Sequence, residues 1–193
     1  MLGLKLPTDP RWANIAEKNI SEILIDHAYC EQKAASTAIS LIVSFPEYDE
    51  LVTAMTELVQ EEISHFKMVH DLLKERQIEL GRDRKDEYVN QLLKFFPKGG
   101  SRTNQLVHRL LYAGLIEARS CERFRLLSEE LEDPKLRQFY RALMISEANH
   151  YSMFLNFARQ YGEKDEVNRK WNDLLEFEAK IVKNFEKGAS VHG

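Results

Sequence analysis

The sequence Glu62-Ile-Ser-His65 recurs as a Glu-x-x-His spacing 85 residues later, in Glu147-Ala-Asn-His150. Six histidines and 22 glutamates in 193 residues allow this spacing about 0.7 times by chance, so a single copy would mean little. On a helix, residues three apart share a face, and a Glu and a His placed in this way can bind one metal ion. The repetition therefore predicts two helices that each carry a pair of metal ligands.

Apolar residues recur at helical spacing around both motifs, while glycines and prolines lie between these patterns. The pattern predicts an all-α chain with a first helix from Pro10, a break near Asn19 and two long helical hairpins. The predicted segments are an A–B hairpin over about 19–80, a crossover over 81–102 with a short helix at about 88–96, a C–D hairpin over about 103–162 and a C-terminal helix over about 165–187. Two hairpins joined by one long crossover are typical of a ferritin-like four-helix bundle, here expected as a single domain spanning 1–193.

Each hairpin is expected to supply one more carboxylate from its first helix. In the A–B hairpin, Glu31 lies about 15 residues before the turn and Glu62 about 16 residues after it, so their heights match. In the C–D hairpin, Glu117 and Glu147 both lie about 15 residues from the turn. Glu122, only about 10 residues before the same turn, does not match the height of Glu147.

The apolar stripes of the helices favour the same choice. When the stripe of the third long helix is set on Glu117, its other positions are mostly apolar, whereas a stripe set on Glu122 collects charged residues. The other three long helices carry comparable stripes that are interrupted at mid-height. The six candidate metal ligands are therefore Glu31, Glu62, His65, Glu117, Glu147 and His150.

Four carboxylates and two imidazoles that face a helical interior imply bound cations, because a buried carboxylate without compensation loses much of its hydration energy. Oxygen-rich ligands with one imidazole per metal favour iron or manganese over zinc. Two such metals can activate dioxygen or act as a hydrolytic pair. We expect Glu62 and Glu147 to bridge the metals, with Glu31 and Glu117 as terminal ligands.

Composition excludes several classes of protein. With 44% hydrophobic and 30% charged residues, the chain is typical of globular rather than disordered proteins. Its two cysteines are too few for a disulfide framework, a four-thiolate zinc site or an iron–sulfur cluster. No signal-peptide pattern and no apolar stretch approaching 18 residues is present, so we expect a cytoplasmic protein without a membrane partner.

The charge is unevenly distributed. The chain carries a net charge of −4, yet residues 82–141 carry +4, so its basic middle favours a local phosphate-binding face. Lys98-Gly-Gly-Ser-Arg102 is either a phosphate cradle or a plain loop. Arg119 and Arg123, with the neighbouring Arg109 and Arg125, either steer a polyanion or form ion pairs on helix surfaces.

The remaining histidines and the cysteines are interpreted as structural. His27, His70 and His108 lack the support that height, stripe and repetition give to the six candidate ligands. Cys30 and Cys121 lie close to candidate ligands, but cysteines in such places are more often small buried residues.

Four stretches resemble the tRNA-(2-methylthio-N6-isopentenyladenosine) hydroxylase family. They are Asp26-His-Ala-Tyr-Cys-Glu-Gln-Lys-Ala-Ala35, Glu61-Glu-Ile-Ser-His-Phe66, Ile116-Glu-Ala-Arg-Ser-Cys-Glu-Arg-Phe124 and Ser146-Glu-Ala-Asn-His150. The third stretch is the most specific, and the resemblance extends over nearly the whole chain. The six candidate ligands match the metal pattern of the family at every position.

The resemblance implies a non-haem di-iron monooxygenase that hydroxylates the prenyl side chain of a modified adenosine beside the tRNA anticodon, with dioxygen and two electrons. Two iron ions are then the cofactor and tRNA is the substrate, with Lys98, Arg102, Arg119 and Arg123 as candidate tRNA contacts. An external electron-donor protein is expected, because the chain has no flavin or haem motif. We expect a monomer or a small homo-oligomer.

Two other functions remain open from the sequence. A ferritin-like protein that stores iron or scavenges peroxide would act without tRNA. A helical interaction module would bind no metal at all.

Overall fold

The computed structural model describes residues 2–83, 86–183 and 191. Its helices are α1 (Trp12–Lys18), α2 (Ile20–Ser44), α3 (Asp49–Glu75), α4 (Glu87–Leu92), α5 (Arg102–Glu130), α6 (Pro134–Tyr161) and α7 (Lys164–Val182). A single 3-10 turn, Leu93–Phe95, follows α4, and the described residues include no β-strand. The chain divides into a small unit, Asn19–Lys85, and a large unit, Met1–Lys18 with Asp86–Gly193. The predicted all-α class is confirmed.

The small unit consists of α2 packed against α3, the predicted A–B hairpin. The break between α1 and α2 falls at Asn19, where the sequence predicts it. α2 ends at Ser44, and the turn that follows contains Pro46, which cannot continue a helix. The alanines at 28, 35 and 38 are buried along α2 and leave room for closely packed neighbours.

Helix α3 ends at Glu75, five residues before the predicted end near Leu80. The reason is a Schellman turn: Gln77 N donates to Lys74 O at 3.0 Å, and Ile78 N donates to Leu73 O at 2.9 Å. Gln77 adopts the left-handed φ of 57° that this turn requires. Because glycine is the usual residue at this position, the glutamine gave no sequence signal of a helix end.

The large unit is built on the α5–α6 hairpin, the predicted C–D pair. Ser101 caps α5, its hydroxyl accepting a hydrogen bond from Asn104 N at 3.1 Å. Asp133 caps α6 by accepting from Lys135 N at 2.8 Å, and Pro134 occupies the first turn. Both helices therefore begin within one residue of their predicted starts.

Two shorter elements complete the large unit. α4 and the 3-10 turn coincide with the short helix predicted inside the crossover, whose residues 84–85 lie outside the described part. α7, the predicted C-terminal helix, buries Trp171, Leu174 and Ile181 on one stripe. The last predicted part of this helix, residues 184–187 with Phe185, lies outside the described residues.

The turn between α6 and α7 has no room for a side chain at Gly162. A methyl group there would lie 2.6 Å from Val167 Cγ2 and 2.9 Å from Val107 Cγ2. We expect Gly162→Ala to lower the free energy of unfolding by about 1–3 kcal/mol, the usual cost of overpacking, as measured by urea denaturation. Gly114→Ala is the control, because its methyl group would lie an ordinary 3.5 Å from Phe154 and alanine favours the α5 helix. Equal losses in the two variants would contradict this account.

Candidate metal centre

The small unit brings Glu31, Glu62 and His65 together. One ligand atom from each lies within 4.8 Å of the others, and all three residues are at most 7% exposed. His65 Nδ1 lies 3.4 Å from Glu62 Oε2 and 3.8 Å from Glu31 Oε2. We call these three residues the small-unit triad.

The local sequence explains this arrangement. Glu62 and His65 are three residues apart on α3 and therefore project from one face. The turn between Ser44 and Asp49 lies midway between Glu31 and Glu62 along the chain, so α2 carries Glu31 to the same height. Glu31 and Glu62 thus lie at matching heights, as their similar distances from the turn predict.

The large unit repeats the arrangement with Glu117 from α5 and Glu147 and His150 from α6. One ligand atom from each lies within 4.8 Å of the others, and all three residues are at most 5% exposed. We call them the large-unit triad. Each of the six predicted ligand residues therefore lies in a buried cluster of two carboxylates and one imidazole.

Glu122, the alternative carboxylate on α5, lies elsewhere. Its carboxylate accepts hydrogen bonds from Thr8 N at 2.9 Å and Thr8 Oγ1 at 2.6 Å, and it pairs with Arg119. It therefore fastens the start of the chain to α5. The choice of Glu117 over Glu122 agrees with this placement.

The donor chemistry of each triad fits a divalent metal. Two carboxylates that lie within a few ångströms of each other away from water repel unless a cation or protons compensate their charge. Glutamate oxygens with a single imidazole suit iron or manganese, and the lack of cysteine in both triads disfavours a structural zinc site. The buried carboxylate and histidine clusters are thus compatible with a di-iron centre.

His27, interpreted from the sequence as a structural residue, contacts a candidate ligand. It is fully buried on α2, and its Nε2 lies 2.6 Å from Glu31 Oε1. A carboxylate can only accept, so Nε2 carries the proton and donates it to Glu31. The available signal was the four-residue spacing between His27 and Glu31, which places both on one helical face.

Two further histidines outside the triads, His70 and His108, have structural surroundings. His70 stacks on Phe66. Burial lowers the pKa of His108, and the nearby Lys170 lowers it further, so the neutral ring accepts a hydrogen bond from Lys170 Nζ at 2.7 Å. Both observations agree with the structural interpretation of these residues.

Cys121 is a buried residue without the character of a metal ligand. Its Sγ lies 3.2 Å from Met144 O, and burial raises the pKa of the thiol to about 11. The group is therefore a neutral thiol near neutral pH, whereas metals and electrophiles require the thiolate.

Arg119 was predicted as a tRNA contact, and the structure corrects this. Its side chain is 0% exposed. Arg119 Nε and Nη2 donate to Glu178 Oε1 at 2.9 and 2.6 Å, and Nη1 donates to Thr8 Oγ1 at 3.1 Å. Burial raises the pKa of Tyr88 well above its ordinary value, so its hydroxyl stays protonated and donates to the same Glu178 oxygen at 3.1 Å. A guanidinium held in this way cannot reach an external phosphate.

Arg123 requires the same correction. It is 0% exposed, and its guanidinium carbon lies 4.6 Å from the centre of the Trp12 ring, a cation–π contact. Both arginines therefore stabilise the interior of the large unit. Lys98 and Arg102, the other two candidate tRNA contacts, are exposed, and their role stays a prediction.

Among the helices in the described part of the chain, none combines the length and the apolar character that crossing a lipid bilayer requires.

Glu117 and Glu122 offer a matched pair of substitutions on one helix. We expect Glu117→Ala to lose bound iron, as measured by metal analysis after reconstitution, without a loss of stability in the metal-free protein, because the substitution relieves charge repulsion. Glu122→Ala should keep its iron and lower the melting temperature, because Thr8 and Arg119 lose their acceptor. The reverse pattern of iron loss would contradict the assignment of Glu117.

The hydrogen bond from His27 to Glu31 predicts a further effect on metal affinity. We expect His27→Phe to weaken cobalt(II) binding about 10–100-fold, the usual cost of losing a partner that orients a ligand, in an optical titration. His27→Gln should recover much of the affinity, because its amide can donate to Glu31. His70→Phe is the control in the same unit. Wild-type affinity in His27→Phe would refute a positioning role.

The comparisons with known proteins agree with the site. The family model described as tRNA-(MS[2]IO[6]A)-hydroxylase (MiaE) matches residues 2–193. The tRNA 2-(methylsulfanyl)-N(6)-isopentenyladenosine(37) hydroxylase of Pseudomonas putida is 37% identical over 166 residues, which cover 86% of this chain and 80% of that protein. The enzyme of the same name from Salmonella typhimurium is 28% identical over 231 aligned positions, covering 93% of this chain and 83% of that protein.

A solved structure supports the fold. It is "Protein 43 with aldehyde deformylating oxygenase activity from Synechococcus", which superposes on this chain with a TM-score of 0.90 at 32% sequence identity. The superposition covers 98% of this chain and 95% of the Synechococcus chain. The fold is accordingly of the ferritin-like, all-α class that the two hairpins predict. By the match over nearly its whole length, the chain belongs to the tRNA-(MS[2]IO[6]A)-hydroxylase (MiaE) family.

Proposed function

We propose that this chain is a di-iron monooxygenase that hydroxylates the isopentenyl side chain of a modified adenosine in the anticodon loop of tRNA. The observation that carries the proposal is the pair of buried Glu, Glu, His triads, one in each hairpin of a chain that belongs to a tRNA hydroxylase family. The tRNA hydroxylases of Pseudomonas and Salmonella that this chain resembles support the substrate. A tRNA substrate also favours a cytoplasmic location.

The residues of the two triads, Glu31, Glu62, His65, Glu117, Glu147 and His150, would hold two iron ions. When bound, such a pair of irons supplies the activation of dioxygen that oxidation of an unactivated carbon requires. The protein has only two cysteines, so the two electrons would come from a separate donor protein. Whether the protein acts as a monomer or a small homo-oligomer stays a prediction.

The residues of the chain have three tasks in this reaction. The triads would provide carboxylate oxygens and imidazole nitrogens as ligands for the metals. Burial of these residues keeps bulk water from the reacting centre and strengthens each electrostatic contact. His27, by donating to Glu31, fixes the orientation of one ligand before the metal arrives.

The direct test is to incubate the iron-loaded protein with prenylated tRNA, dioxygen and a chemical reductant, and then to analyse the nucleosides by mass. We expect a gain of one oxygen atom on the prenylated adenosine. Glu147→Gln should abolish this gain, while Glu130→Gln, which removes an exposed carboxylate at the end of α5, should retain it. With iron bound and the tRNA verified, no gain of oxygen would refute the proposed reaction and favour iron or peroxide chemistry.

The solved relative with aldehyde deformylating oxygenase activity makes an aldehyde-directed oxygenase the second candidate. The same iron-loaded protein, incubated with dioxygen, a chemical reductant and an aliphatic aldehyde, would release the formyl carbon as formate and the alkyl remainder as a hydrocarbon if this activity is present. We expect little formate next to the hydroxylated nucleoside. Formate release without tRNA hydroxylation would favour the second candidate.

A further inference from the structure

The crossover and the first half of α5 have an unusual charge pattern. From Tyr88 to Ile116 the sequence contains no Asp or Glu, although the whole chain has 31 acidic residues among 193. This run carries Lys94, Lys98, Arg102 and Arg109. It is therefore a continuous cationic segment inside a protein of net charge −4. A local excess of positive charge in an acidic protein indicates a surface that attracts a polyanion.

Three of these cations are exposed in the structure. Lys94 lies in the 3-10 turn, Lys98 in the following loop and Arg102 at the start of α5, and all three are exposed. We call them the crossover patch. The loop from Lys98 to Arg102 changes direction at Gly99 and Gly100, whose φ values of 87° and 92° favour glycine.

Phe95 and Phe96, which lie between Lys94 and Lys98 in the sequence, belong to an aromatic cluster. The ring of Phe95 lies 5.4 Å from that of Phe177 on α7, and the ring of Phe96 lies 5.3 Å from that of His108 on α5. Phe95 and Phe96 also pack edge to face at 5.2 Å. The backbone that carries the cations is thus fixed to two helices, so binding would not have to order a flexible loop.

The other arginines on α5 do not offer an equivalent surface. Arg119 and Arg123 are buried in the large unit, Arg109 is half-buried, and Arg125 lies beyond the acid-free segment, where it pairs with Glu129 at 2.6 Å on the same helix. Within the acid-free segment, the exposed basic residues are thus the three of the crossover patch.

We propose that the crossover patch binds the phosphate backbone of the tRNA substrate. This inference rests on the proposed function and adds where the RNA lies. Arg102 and Glu117 are 15 residues apart on α5, or about 22 Å along the helix axis. That distance exceeds the size of a single nucleotide, so the crossover patch would contact phosphates away from the base that is modified.

The test uses two triple variants of the full-length, iron-loaded protein. The first is Lys94→Gln, Lys98→Gln and Arg102→Gln. The control is Lys135→Gln, Arg137→Gln and Arg141→Gln, which removes the same charge from the exposed positions of α6 in the same unit. The measurements are tRNA affinity by fluorescence anisotropy at several salt concentrations, and steady-state hydroxylation kinetics.

We expect the crossover variant to bind tRNA at least about tenfold more weakly, with a salt dependence whose slope falls by about 2–3, since each lost phosphate contact contributes about 0.7–0.9. The KM for tRNA should rise, while kcat at saturating tRNA stays near that of the wild type, because the triads are untouched. The control variant should keep the wild-type slope.

Two outcomes overturn the proposal, and they are distinguishable. If the wild type binds and hydroxylates tRNA, equal affinity and slope in the crossover variant and the wild type would remove the crossover patch from the tRNA interface. If the wild type itself neither binds nor hydroxylates tRNA, the proposed function fails, and the crossover patch proposal fails with it.

Discussion

The burial of glutamates is the constraint on which the rest of this structure depends. Glu31, Glu62, Glu117 and Glu147 all lie in helical interiors, where an anion is costly. Long regular helices satisfy their own backbone hydrogen bonds and can therefore carry such groups inward at fixed heights. The hairpin is thus a device that brings one carboxylate from each helix to a common level, with a histidine one turn away.

A second buried charge cluster has a different task. Glu178 interrupts the apolar stripe of α7, and its charge is compensated by Arg119 from α5 and by the hydroxyl of Tyr88. Removing one partner of such a cluster leaves the other buried without compensation, which is costly. The large unit therefore contains two buried charged clusters. In the cluster of Arg119 and Glu178 the charges compensate each other, whereas the negative charge of the large-unit triad favours the binding of a metal ion.

The candidate ligands were predictable from sequence because their signals are local. A three-residue spacing and equal distances from a turn need no knowledge of distant contacts. The buried arginines were not predictable, because the partner of Arg119 lies 59 residues away and hydropathy places arginine on the surface. The end of α3 was missed because Gln77 takes a left-handed conformation without the usual glycine. His27 did carry a signal, its four-residue spacing to Glu31, that was not used.

The bonds of Arg119 also concern the two ends of the chain. This side chain donates to Leu6 O and Thr8 Oγ1 near the start and to Glu178 near the end. If either the N-terminal segment or α7 opened, the guanidinium of Arg119 would be exposed. The amide protons of the two regions should therefore exchange together, as one cooperative unit. Truncation at either terminus would accordingly remove hydrogen bonds of Arg119 on α5, the helix that also carries Glu117.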